Sequence, residues 1–580
     1  MTSANSTSAV DVVTTEVIRN FFQSCAEDMN AVLIRSAYSP IIYEVRDCSV
    51  VLLDANGDML GMNNGLPIFL GNLEFCVKYA IDALGKDSFR KGDAYVLNDC
   101  YIGGGHLNDV TVFTPIFWND QLVGFGATRA HWMDIGAKDP GVSMDTRDIH
   151  QEGFRIGPTK VIEGYRLRAD WLDMFKRNSR FPHMLVGDFN AQVAACRTGE
   201  ERFAAALDRF GADTLWAARD AIFRQTAELE RTAIRNLPDG VYTAEGMLDS
   251  DGAGTGPIPL RVKLIISGED VTLDFDGAPP MVAGSINGSK TSTICAARYA
   301  YKCLVLPERG VDGGSFSTLT IKIPPGSILS AEEPAACQYY YSPLGLLHDL
   351  TITALAKALP DAAAAAHHGD SMNVAFAGVD PRSGSPYVSI DATAGGWGGF
   401  EGCDGADALL GSSLGAIKIH CTEIFEANYP IRVREYALRP ESEGPGRFRG
   451  GFGVRRTYEF DADTSVFLWF ERSVTPAWGL FDGEGAIGPV VDISGSRECH
   501  ELKVNRLPVK AGDVMTLYTG GGGGWGDPFE RDPIAVLEDV RDGLISPRRA
   551  AERYGVVLAA AGTAIDAAAT EKRRATRRRR

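Results

Sequence analysis

The stretch Asn98-Asp99-Cys100-Tyr101-Ile102-Gly103-Gly104-Gly105-His106-Leu107-Asn108-Asp109-Val110 constrains this chain more than any other. It sets an imidazole and a carboxylate three positions apart, directly behind three glycines. Glycine lets the backbone fold tightly enough for neighbouring side chains to face one centre. A further imidazole, His131, follows the apolar run 122–130, which reads as a strand. Two imidazoles and a carboxylate can hold one divalent cation. Mixed nitrogen and oxygen ligation suits a metal that polarises carbonyls or phosphates and activates water. A chain that folds this way is expected to be a metalloenzyme subunit. Spacing alone leaves the plainer alternative open, in which each histidine is a satisfied structural residue.

At 580 residues the chain is too long for one simple core, so several domains are expected. Its composition, 45% hydrophobic and 23% charged, is that of an ordinary globular protein. No apolar run reaches membrane-spanning length. The first residues lack the basic and apolar regions of a secretory signal, so a short disordered lead at 1–10 and a cytoplasmic location are expected. A net charge of −17 argues against nucleic acid as the main partner. The Arg-rich end, 571–580, is expected to be a solvated, partly disordered tail, with docking to an acidic partner as the alternative. Eleven scattered cysteines without a CxxC pair suggest buried thiols rather than a disulfide framework or a thiolate zinc site.

The periodicity predicts a helix over 11–35, capped by Asp11, and a hairpin around Ala55-Asn56-Gly57-Asp58. A helix over 72–84 and strands over 93–98 and 110–117 follow. The next strand, over 122–130, delivers His131 at its end, where catalytic groups commonly emerge. Residues 188–236 read as strongly helical, and 241 to about 330 as β with a helix at 292–305. A helix at 345–359 and strands with Gly-rich turns over 430–520 complete the pattern. The fold class expected is α+β: multi-domain, β-rich, with an N-terminal α/β metal-binding region and helical segments. The expected units are an N-terminal metal-binding domain at 11–236, a central mixed domain at 237–430, a β-rich Gly-loop domain at 431–530, and a C-terminal helix with basic tail at 531–580.

Six ordered stretches give the chain a family resemblance. They are Glu44-Val-Arg-Asp47-Cys-Ser, the segment from Asn98 to Asp109, His150-Gln-Glu-Gly153, Gly395-Gly-Trp-Gly-Gly399, the run from Arg439 to Gly451, and Gly520-Gly-Gly-Gly-Gly-Trp-Gly-Asp527-Pro. In this order they resemble the hydantoinase B/5-oxoprolinase family, which includes lactamase subunits and the large subunits of acetone and acetophenone carboxylases. The resemblance spans about 12 to 557 and is specific for the family, not the substrate. It implies a hetero-oligomer with a hydantoinase A-type, actin-like ATPase that phosphorylates the substrate. It also implies a metal held by Asp47, His106, Asp109 and His131, with zinc the first expectation and manganese or iron the alternatives. Cys100 stands where the family usually has proline, and His150 where it commonly has tyrosine.

Asp109, His131 and His150 are the expected catalytic residues. A salt-bridged strand Asp is the alternative for Asp47, and a surface histidine for His150. His367-His368 follows an alanine-rich stretch and reads as cations near a helix C-terminus. The five glycines 520–524 lack the Lys-Ser/Thr of a phosphate loop and read as a backbone-packing or partner-facing loop. Trp397 and Trp525 read as core residues or as a substrate platform. The expected function is ATP-dependent opening of a cyclic amide: a hydantoin, 5-oxoproline or a lactam. An ATP-dependent ketone carboxylase role is the alternative, and the chain's shorter length relative to the acetone carboxylase type favours the amidase. A non-catalytic scaffold would be expected to have lost metal ligands, and all four are present.

Overall fold

The computed structural model describes residues 10–577, apart from positions 64, 70, 560, 561 and 563. The expected disordered lead thus lies, Val10 aside, outside the described residues.

The N-terminal periodicity forms the helix Val12–Ser36, and the Asp11 carboxylate accepts from the Thr14 amide as its cap. Its buried side chains Ile18, Phe22, Cys25, Met29 and Leu33 form one face. That face lies on a seven-stranded sheet ordered β2-β1-β5-β4-β3-β6-β7. The strands are β1 Cys48–Asp54, β2 Met59–Met62, β3 Ala94–Leu97, β4 Asp109–Trp118, β5 Gln121–His131, β6 Thr159–Glu163 and β7 Arg166–Leu167. All neighbours are antiparallel. The β4–β5 hairpin turns at Asn119 and Asp120, both at positive φ (48° and 59°), which Asn and Asp tolerate better than other side chains. The stretch 188–236, expected to be strongly helical, forms two helices, Pro182–Phe210 and Ala212–Arg235. Gly211 divides them at φ 78°, a conformation that ends a helix. Pro182–Phe210 packs beside Val12–Ser36 and across β4 and β5.

A second sheet, β11-β10-β9-β8, is built from β8 Gly240–Leu248, β9 Ile258–Ser267, β10 Asp270–Asp274 and β11 Leu319–Lys322. The helix Tyr341–Ala356 lies on β8 and β9 and pairs with the helix Lys290–Leu304. Two further sheets share a core. One is β13-β12-β16-β18, from β12 Asn373–Val379, β13 Pro386–Ala392, β16 Thr464–Trp469 and β18 Lys503–Val509. Its partner is β14-β15-β19-β17, from β14 Ile431–Leu438, β15 Val454–Phe460, β17 Val490–Ser494 and β19 Val514–Tyr518. Phe376, Leu468, Tyr458, Phe460 and Leu517 fill the space between them. The other face of the β12 sheet, through Ala375, Ile390 and Phe467, joins the large core that begins at Ile18. Apolar packing therefore runs across the expected boundaries at 237 and 431, and one sheet combines strands from both sides of the second.

The five-glycine run is packing, not a phosphate loop. A Cβ on Gly522 would lie 1.9 Å from the Trp397 carbonyl oxygen, and one on Gly523 2.0 Å from that of Trp478. Backbones approach this closely because they exchange hydrogen bonds directly, as in Gly399 N to Gly523 O at 2.9 Å and Gly523 N to Ala366 O at 2.8 Å. The described part of the basic tail lies in the helix Ala567–Arg577, and residues 578–580 lie outside the described residues. Most of its side chains are exposed as expected, while the Arg574 guanidinium donates to the carbonyls of Arg531 and Tyr554.

Candidate functional site

Strand register gathers the expected ligands. Asp109 opens β4 and His131 closes β5, and the two face each other as a cross-strand pair. Asp47 immediately precedes β1, and its carbonyl accepts from the His131 amide at 3.1 Å. Asp47, His131 and Asp109 thus stand at the same end of three adjoining strands. His106 reaches the group through the glycine turn: Gly104 and Gly105 have φ of 72° and 84°, and a Cβ on Gly105 would lie 2.3 Å from Asp109 Oδ2. The His106 amide donates to Asp109 Oδ2 at 3.1 Å, and its Nε2 is 3.4 Å from Asp109 Oδ1. The His106 and His131 rings are 4.9 Å apart.

These four residues border a cavity of about 60 Å³, walled by Leu66, Phe69, Ile390 and Leu414. Asp47 Oδ1, Asp109 Oδ1 and His131 Nδ1 are buried without a hydrogen-bond partner. Orphaned polar atoms are costly unless something supplies a partner, and two carboxylates with two imidazoles are a donor set a divalent cation fits. The electrostatics without a cation are strained. Burial, then the neighbouring Asp109 charge, pushes the Asp47 carboxyl up to about 8. Burial, then His106, lowers the His131 imidazole to about 3. Burial alone would raise Asp109, but the adjacent His106 outweighs it and brings the carboxyl to about 2.

Sequence reasoning missed the layer above this group. Gln338, Tyr339, Tyr340 and Tyr341 roof the cavity at the start of the helix Tyr341–Ala356. The Tyr340 hydroxyl donates to Asp109 Oδ2 at 3.3 Å. The Gln338 side-chain amide meets His106 Nδ1, while its own Oε1 has no partner. Turning that amide over lets Oε1 accept from Nδ1–H and leaves Nε2 facing the cavity side, the usual arrangement for a ligating histidine. Glu152 fixes the Gln338 backbone, accepting from its amide at 2.9 Å and from Thr146 at 2.7 Å. Burial raises the Glu152 carboxyl to about 7 against those hydrogen bonds. The run Gln-Tyr-Tyr-Tyr is visible in the sequence, but nothing in its spacing ties it to residues about 230 positions earlier.

His150 is not in this group. Its side chain is 69% exposed, its closest carboxylate is Glu333 at 3.9 Å, and its stretch contributes Glu152 instead. His367-His368 also departs from expectation. The preceding helix ends at Ala356, and both imidazoles are buried rather than exposed at its C-terminus.

His367 instead joins His348 and Asp349, with donor atoms all within 4.8 Å of one another, close enough for a cation. Charge separates the two clusters. The Arg472 guanidinium already pairs with Asp349, so a divalent cation there would meet no net negative charge. At the strand ends it would meet the carboxylates of Asp47 and Asp109. The larger cluster of donors therefore offers a cation more negative charge, although its atoms stand further apart.

Comparison with known proteins agrees with the resemblance. The family model described as "Hydantoinase B/oxoprolinase" matches residues 11–528. A protein from a Pseudomonas species, named as the B-type component of a putative D-/L-hydantoinase, is 32% identical over 95% of this chain and 95% of its own length. The crystal structure of ATP-dependent caprolactamase from Pseudomonas jessenii superposes with a TM-score of 0.91 at 28% identity, covering 98% of this chain and 100% of that one. An acetone carboxylase structure superposes with a TM-score of 0.88 at 20% identity, over 98% of this chain and 83% of that one, and so shares the fold. No helix among the described residues is long and apolar enough to cross a membrane.

Proposed function

The chain belongs to the hydantoinase B/oxoprolinase family, and we propose that it is the metal-bearing subunit of an ATP-dependent cyclic amidase. It opens a hydantoin, 5-oxoproline or a lactam after a hydantoinase A-type ATPase has phosphorylated the ring amide. The observation that carries this reading is the set of orphaned donor atoms on Asp47, Asp109 and His131 around one cavity with His106. The names of the relatives, hydantoinase and caprolactamase, support the substrate class.

An unstrained amide is a poor electrophile, and phosphorylation of its oxygen makes the ring carbon accept water. A divalent metal at Asp47, His106, Asp109 and His131, zinc, manganese or iron, would orient that water and lower its pKa. The protein's own groups do the rest. Asp47, whose carboxyl burial and the Asp109 charge push up in the absence of a cation, would meet the metal as a carboxylate through Oδ1. Tyr340, whose phenol burial keeps protonated, holds Asp109 by its Oδ2 and so fixes which oxygen faces the cavity. Gln338 and Glu152 set the ring orientation of His106. The apolar wall of Leu66, Phe69, Ile390 and Leu414 keeps bulk water out, which strengthens the charge interactions inside the cavity.

The experiment pairs this chain with its ATPase and offers cyclic amides and ketones in labelled water or with labelled bicarbonate. Hydrolysis puts oxygen from water into the product carboxylate and needs no bicarbonate. Stable incorporation of carbon from bicarbonate would overturn the amidase reading in favour of a ketone carboxylase.

A further inference from the structure

The second cluster lies outside the proposed metal centre and faces a different space. His348, Asp349, His367 and Ser412 all border a cavity of about 1020 Å³, mainly apolar, with Leu60, Met62, Ile222, Val311 and Ile352 among its walls. The Ser412 hydroxyl is 2.9 Å from His367 Nε2. On the other side of the same ring, Nδ1 stands 2.7 Å from Asp349 Oδ1, an ion-pair approach off the N–H axis rather than an aligned hydrogen bond. Arg472 holds the second oxygen of Asp349, which fixes the carboxylate and keeps it ionised. Hydroxyl, imidazole and carboxylate thus follow in the order that activates a serine. His348 flanks the hydroxyl at 3.1 Å, with Tyr299 stacked on its ring at 4.5 Å.

We propose that Ser412, His367 and Asp349 form a second catalytic centre, a serine-nucleophile site that hydrolyses carboxylic esters with apolar acyl groups. Ser412 Oγ attacks the ester carbonyl carbon while its proton passes to His367 Nε2. The bond from carbonyl carbon to alcohol oxygen breaks, and the alcohol leaves with that proton. Water then attacks the acyl-serine, giving one proton to His367. Release of the carboxylic acid returns that proton to Ser412 Oγ. Asp349 holds the charge that forms on His367. The Tyr299 phenol, beside Ser412 and held protonated by burial, is placed to donate to the carbonyl oxygen as charge develops there. The apolar lining selects the acyl group. Neither ATP nor a metal enters the balance, so the site stands or falls independently of the amidase reading.

The full chain, treated with a chelator, is assayed with p-nitrophenyl butyrate and separately labelled with a serine-directed fluorophosphonate. Turnover is expected without ATP or metal, with one label per chain, on Ser412. Ser412→Ala and His367→Gln should each lower turnover about a hundredfold or more. The label on the unmodified chain reports the nucleophile even if a variant misfolds. Absence of label at Ser412, or unchanged turnover in Ser412→Ala, overturns the proposal. So does a chain that binds two cations and loses one in His367→Gln, because the cluster would then be a metal site.

Discussion

Asp109→Asn tests the proposed metal centre with little change of shape. The amide keeps an acceptor for the His106 backbone amide and for the Tyr340 hydroxyl, the two hydrogen bonds now made by Oδ2. What changes is charge: the donor set falls from two carboxylates to Asp47 alone. In the metal-free protein this removes the ion pair with His106 that brings the Asp109 carboxyl down against burial. Metal-free stability at neutral pH is therefore expected to fall. Metal affinity should fall as well. Losing a group that merely orients a ligand costs about 10–100-fold in affinity, and Asp109 faces the cavity itself, so about a hundredfold is a lower bound. At a metal concentration of about one hundred times the wild-type Kd, binding stabilises the wild type by about 2.7 kcal/mol; a variant bound a hundredfold more weakly gains only about 0.4 kcal/mol. The assay is competition against a chromophoric chelator, together with urea midpoints with and without metal. Product formation by the two-subunit enzyme should be lost. A variant that binds metal with wild-type affinity would refute the assignment, and one as stable as wild type without metal would refute the charge argument.

Three further outcomes follow from the structure. Gly522→Ala forces a Cβ to within 1.9 Å of the Trp397 carbonyl, so it should cost about 1–3 kcal/mol or more by overpacking; Gly310→Ala, which meets no atom within 4 Å, should be near neutral in the same urea titration. Burial opposes charge on His348, but the hydrogen bond to Asp349 and the Cys303 thiol outweigh it and push the imidazole up to about 9. A raised folded pKa means this stabilisation is complete below about pH 6.5 and lost as pH rises to about 9, on the order of 3 kcal/mol in all; His348→Gln should flatten that slope. The isolated chain, lacking a phosphate loop, should not hydrolyse ATP in a phosphate-release assay, and substrate-stimulated release would contradict the two-subunit reading.

The strand and helix pattern was legible because period is local. Apolar spacing gave the helix Val12–Ser36 and the strands on either side of Asn119-Asp120. The candidate ligands were legible for the same reason: His106 and Asp109 are separated by one turn, and His131 ends a readable strand. Gly211 was a sequence signal too, yet its break lies inside continuous helical periodicity, and only the backbone's positive φ shows which pattern prevails. Other features depended on contacts between distant segments. Asp47 joins the group because β1 pairs with β5, and Gln338 and Tyr340 roof it because the helix Tyr341–Ala356 starts there. The glycine run 520–524 stated only that side chains were absent; the backbones occupying that space come from 397, 442, 445 and 478. His367 appeared to belong to a helix end, and folding placed it between Asp349 and Ser412. Local periodicity and glycine spacing are properties of the sequence by itself, whereas which buried charges face one another is fixed by the pairing of remote strands, where desolvation makes each unpartnered group count.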